Sequence, residues 1–138
     1  MNTFPLSQRF DIAALKKGAS VTALFAVPPT LIARFFLDDK SYVTSWSVFL
    51  SLLSIFGFIL GSGVAAWHQS EGRPMLHAMT AGVGVFIVIQ SLFLVVRVLL
   101  NGDIRIGRIA TSLALALFAS VIGGALGSFL QHSGAKPR

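Results

Sequence analysis

The chain has 138 residues, 54% hydrophobic and only 12% charged, with a formal net charge of +6 and no cysteine. A soluble domain carries about 25% charged residues, and a chain this short has no core large enough to hide so much apolar surface, so lipid is the expected solvent. The lack of cysteine excludes disulfides, thiolate catalysis, Cys-ligated zinc and iron–sulfur clusters, and basic residues that flank apolar runs fit anionic headgroups rather than a nucleic acid.

Residues 1–18 read as an N-terminal tail. Leu6, Phe10, Ala13 and Ala14 share a helical face that Ser7, Gln8, Arg9 and Asp11 avoid. A short helix lying in the interface and an ordinary mobile tail both fit this pattern. Lys16 and Lys17 resemble the basic region of a signal peptide, but Pro28 and Pro29 interrupt the apolar stretch and no small-x-small cleavage site follows, so a retained helix is expected.

Residues 18–33, 41–70, 74–96 and 109–135 contain no Lys, Arg, Asp or Glu. A helix needs roughly 20 mainly apolar residues to cross a bilayer core of about 30 Å. The runs predict spans at about 19–37, 45–67, 75–100 and 107–130; the first is long enough when Arg34 extends its guanidinium to the interface. Continuous apolarity without period-two alternation favours helices over a β-barrel, and a helix satisfies its own backbone in lipid. The links are short and rich in turn residues: Asp38 to Thr44, Gln69 to Pro74 with Glu71 and Gly72, and Asn101 to Ile106 with Gly102 and Asp103. Such links force antiparallel neighbours. The expected fold is an all-α membrane protein, a four-transmembrane-helix antiparallel bundle over 19–130 with a C-terminal tail at 131–138.

Four crossings put both termini on one side. That side holds Arg9, Lys16, Lys17, Arg73, Lys136 and Arg138, and the other holds Arg34, Lys40, Arg97, Arg105 and Arg108. The balance is slight, but Lys16 and Lys17 directly precede the first span, which usually dominates, so both termini are expected in the cytoplasm.

Helices associate in lipid through close backbone approach and interhelical hydrogen bonds. Ser112, Ala116, Ser120, Gly124 and Ser128 form a ridge of small side chains on the fourth helix, with Gly123 and Gly127 beside it; Gly57, Gly61 and Ala65 repeat the device on the second. Two uses are open: packing within the bundle, or a docking face for another subunit or another copy. The pattern GxxLGS occurs at Gly57–Ser62 and again at Gly123–Ser128, and Arg34-Phe35-Phe36-Leu37-Asp38 resembles Arg97-Val98-Leu99-Leu100-Asn101. Two tandem helical hairpins, or small-residue bias alone, produce such matches.

Pro28 and Pro29 remove two backbone donors and free the carbonyls of Leu24 and Phe25. This reads either as a static kink covered by neighbours or as a broken helix offering carbonyls to a substrate or ion. Gln90 lies deep in the third span and needs a partner, expected to be a Ser or Thr of another helix. Arg34 and Arg97 fall on the same side of the membrane as Asp38, Asp39 and Asp103, where snorkelling and local pairing compete with a headgroup or anion site. His68, His77 and His132 sit at helix ends on the other side, with Glu71 between the first two. They are weak metal or haem candidates, since they lie at the interface rather than facing each other across the bundle. No metal or cofactor is expected.

No ionisable residue sits at a helix centre, as proton relays and ion-coupled pumps usually require. Small multidrug transporters have this size, but this chain has no carboxylate between Asp11 and Asp38. No Ser/His/Asp set, Walker loop or HExxH is present, so no enzyme is expected.

The stretch Gly57–Trp67 (GFILGSGVAAW), Pro74-Met75-Leu76-His77, Gln90 and the Gly123–Gly127 block together resemble a group of small four-helix membrane proteins of actinobacterial and related Gram-positive bacteria, over about residues 45 to 130. The resemblance implies a bacterial plasma membrane and a four-helix fold, and brings no activity with it. The function expected first is a non-enzymatic accessory or structural partner of a larger membrane complex, through other membrane subunits or self-association. A small transporter, channel or lipid-binding protein is the alternative.

Overall fold

The computed structural model describes residues 10–36 and 45–137. They form four helices and no strand: α1 (Ile12–Phe36), α2 (Ser45–His68), α3 (Pro74–Leu99) and α4 (Ile106–His132). Three of them, α2, α3 and α4, are long and apolar enough to cross a membrane. Leu37 to Thr44, the N-terminal nine residues and the Arg34 side chain lie outside the described residues, and with them the expected pairing of Arg34 with Asp38 and Asp39.

The helix ends follow from local chemistry. Asp11 starts α1, its Oδ1 accepting the Ala14 N–H at 3.1 Å as an N-terminal cap. This is why α1 begins at Ile12 rather than near residue 19: Lys16 and Lys17 lie inside the helix, one turn past its cap. Pro74 opens α3, where its missing N–H costs nothing. Asn101 closes α3 in the left-handed conformation (φ 52°), and the Gly102 N–H reaches the Arg97 carbonyl at 2.8 Å.

Helix α2 is the hub. It packs most extensively on α1 and α4, and α3 closes the bundle against α4, α2 and the start of α1. Helices α1 and α2 run antiparallel, with Gly18 facing Ala65 near one end and Thr30 facing Ser54 near the other. The core gathers Ala26, Phe58, Val85, Phe86, Ala116 and Ala119.

The distribution of side-chain size is the reverse of a soluble protein's. Most buried apolar residues are alanines, whereas Leu24, Leu92, Phe118 and Phe129 are each more than 60% exposed. The largest fully buried side chains are all polar: His77, Gln69, Thr22, Ser62 and Ser120. Small residues inside and large apolar ones outside is the arrangement lipid favours, because outward burial brings no penalty there and close backbone approach holds the helices. Trp46 and Trp67 stand near the two ends of α2. At 1.5 Å per residue they are about 31 Å apart, the thickness of a hydrocarbon core with an aromatic at each interface.

Candidate functional site

The small residues serve the bundle itself. On α2, a methyl group added at Gly57 would meet the Phe25 and Ala26 backbone of α1, and one at Gly61 would meet Thr22 and the Gly18 carbonyl; Ala65, fully buried, covers Gly18. On α4, Gly123 lies against Ile59 and Gly63 of α2, and Gly127 against Gly63 and Ala66. Gly124 faces Ala78 and Met75 of α3, and Ser120 faces Gly82. Ala116 joins the core, and Ser112 and Ser128 are half-buried at the ends of the ridge. Gly18, Thr22, Gly63 and Gly82 complete these interfaces, although none belongs to a marked repeat. Their only signal was to be small residues at helical spacing opposite another small face.

Near the prolines α1 is continuous from Ile12 to Phe36, with Pro29 buried and Pro28 exposed. The Thr30 hydroxyl lies 2.6 Å from the Ala26 carbonyl and 3.1 Å from the Ser54 hydroxyl. Gly57 lets α2 lie directly on the Phe25–Ala26 backbone. Helix α2 thus covers the Ala26 and Thr30 side of this stretch, while Leu24 and Pro28 face outward.

A polar girdle ties together the end of the bundle where α1 and α3 begin. The Asp11 N–H donates to His77 Nε2 at 2.8 Å, so the ring proton sits on Nδ1, which donates to the Arg73 carbonyl at 2.8 Å. Asp11 Oδ2 accepts both the Ser70 N–H and hydroxyl at 3.2 Å. The Ala14 N–H is the largest influence holding the Asp11 carboxyl below the usual carboxylate value; burial, next in size, opposes it, and the two Ser70 donors add to the lowering. Gln69, almost fully buried, donates to Gln131 Oε1 at 3.1 Å, and Gln131 donates back to the Gln69 carbonyl at 2.8 Å. Asp11, Ser70, Gln69 and Gln131 were not visible as a unit in the sequence, because each is an ordinary loop or end residue until the fold aligns them.

The three histidines are not brought together as a ligand set. His68 and His132 each turn Nδ1 onto the carbonyl four residues earlier, Val64 and Ser128, and both nitrogens of His77 are engaged. No group of three metal-ligating side chains exists among the described residues. Gln90 is half-buried on α3. It borders a crevice lined by Arg97, Arg105 and Arg108, and Arg97 donates to the Asp103 carbonyl at 2.9 Å.

A groove of about 670 Å³ lies open between α1 and α3. Leu15, Ala19, Ala23, Val27 and Leu31 form one wall, and Gly84, Val88, Leu92, Phe93 and Val96 the other. Its polar members, Lys16, Ser20 and Thr80, lie towards the end where Asp11 meets His77. A methyl added at Gly84 would meet nothing within 4 Å. Helices α1 and α3 are tied together at the Asp11–His77 end, while α1 packs chiefly on α2, and α3 on α4 and α2. No family model, no curated protein and no solved structure matches this chain.

Proposed function

We propose that this chain is a four-crossing, multi-pass membrane protein that acts by binding rather than by catalysis, and that it binds a membrane component in the α1–α3 groove. Crossing by α1 is supported by its lie along α2 from Gly18 to Thr30. Its 25 residues are also about 37 Å long. Lys16 and Lys17 at its start favour cytoplasmic termini in a bacterial plasma membrane.

One observation carries the binding assignment: the ridges of small residues are covered within the bundle, whereas the α1–α3 groove has apolar walls and no occupant among the described residues. Concave, mostly apolar sites with a few polar groups at one end are the usual form of a binding site. An accessory role in a larger complex is the second reading, supported by Thr80, Gly84 and Val88, which recur every four residues on the α3 wall and suit a partner helix. Purification in mild detergent separates the two. A co-purifying amphiphile lost on Gly84→Phe supports groove binding of a lipid; a co-purifying polypeptide lost on the same change supports the accessory reading. Retention of everything by the variant refutes both.

A further inference from the structure

Taking the groove as a binding site, as above, we propose that its occupant is one anionic phospholipid, with an acyl chain along the α1–α3 walls and its phosphate at the Lys16 ammonium.

The groove is amphipathic along its length. Lys16, Ser20 and Thr80 sit towards one end, and past Ser20 the α1 wall continues as Ala23, Val27 and Leu31 without a polar group. From Ser20 to Leu31 α1 rises about 16 Å, close to half of a core of about 30 Å. The apolar part of the α1 wall therefore matches the depth of one leaflet, with the polar end at that leaflet's headgroup level, while the α3 wall runs on from Thr80 to Val96 for about 24 Å.

Charge selects the head. Lys16 is exposed, lines the groove and forms no ion pair among the described residues, and Lys17 adds a second positive charge beside it. The carboxylate at this end, Asp11, is directed to the Ala14 N–H and to Ser70, so its acceptor capacity is already engaged. A phosphate with net negative charge suits an interfacial lysine better than a zwitterionic head does.

The test uses the full chain in nanodiscs of mixed phosphatidylcholine and phosphatidylglycerol, with either lipid carrying a photoreactive acyl chain. We expect the phosphatidylglycerol probe to label peptides containing Ala23 and Gly84 in preference to the phosphatidylcholine probe. Lys16→Gln should reduce that preference about fivefold, the order one interfacial lysine contributes to anionic-lipid attraction, with thermal stability unchanged. Gly84→Phe should abolish the labelling, and Ala125→Phe, on the exposed face of α4, should not. Val88→Trp, at a 60% exposed wall position, gives a second blocked groove should Gly84→Phe fold poorly. Equal labelling by both probes, still abolished by Gly84→Phe or Val88→Trp, overturns the phosphate assignment and leaves the groove as a binding site. Labelling that neither blocking variant changes overturns both. A dimer that either variant dissociates overturns the lipid in favour of a second copy.

Discussion

The two GxxLGS segments are nearly the same in sequence and opposite in use. In α2, Gly57 and Gly61 admit α1, the other helix of their own hairpin. In α4, Gly123 and Gly127 admit α2, a helix of the other hairpin, and it is the intervening Gly124 that admits α3. The serines diverge as well. Ser62 is fully buried, close to Gly82, and its hydroxyl has no hydrogen-bond partner, whereas Ser128 is half-buried near the helix end. Had the hairpins packed as two equal units, the α4 motif would have faced α3. A small-residue repeat therefore states that some backbone comes close on that face, and not which one.

The largest effects should come from filling the two motifs. A methyl at Gly61 or Gly127 already meets backbone atoms of the partner helix, so alanine should cost about 1–3 kcal/mol and leucine should sharply lower abundance. The comparison predicts different casualties. Gly61→Leu should prevent a disulfide between cysteines placed at Thr30 and Ser54, whose hydroxyls are 3.1 Å apart across α1 and α2; Gly127→Leu should leave it able to form in whatever protein is recovered. If both variants lose it equally, the two motifs do not serve separate interfaces.

Next in size is Gly124→Leu, which displaces Ala78 and the flexible Met75 side chain and should lower stability in detergent by about 1–3 kcal/mol. Leucine at Ala114, exposed on the same helix, should stay within about 0.5 kcal/mol. Equal melting temperatures for the pair would detach α3 from this face of α4.

The hairpins also differ at their starts: α1 has the Asp11 cap, and α3 begins at Pro74 without a side-chain cap. Asp11→Ala should cost about 0.5–1 kcal/mol, the lower part of the N-cap range, since water screens this site. The carboxyl has a lowered value in the folded protein. Its contribution is therefore fully present above the unfolded carboxylate value of about 3.9 and is lost as pH falls through the lowered folded value. An acid titration of stability should show this loss in wild type and not in Asp11→Ala; the same acid limb in both would assign it elsewhere.

The smallest effect is expected at the divergent serine. Ser62→Ala removes a buried hydroxyl that has no partner and should leave stability unchanged or raise it by up to about 1 kcal/mol. A clear loss would mean that Ser62 is bonded in the folded protein.

Helix positions were largely legible in the sequence. The spans expected at 45–67, 75–100 and 107–130 correspond to helices at Ser45–His68, Pro74–Leu99 and Ile106–His132, because charge-free length and turn residues at the gaps are demanded by lipid whatever the packing. The start of α1 was less legible: Lys16 and Lys17 suggested a boundary, yet a capped helix holds long charged side chains within its first turns and lets their ends reach the interface.

The sequence by itself determined that this protein is all-helical, with four spans expected, of which α2, α3 and α4 are long and apolar enough to cross a membrane, and that α2 and α4 each carry a face made for close approach. Only the tertiary structure decided whom those faces meet, that Asp11, Ser70 and His77 form one junction, and that a groove stays open between α1 and α3. The reason is visible in two glycines. Gly61 is pressed against Thr22, and Gly84 faces open space. A hydrogen in place of a side chain permits both outcomes equally, and only the position of another helix separates an interface from a groove.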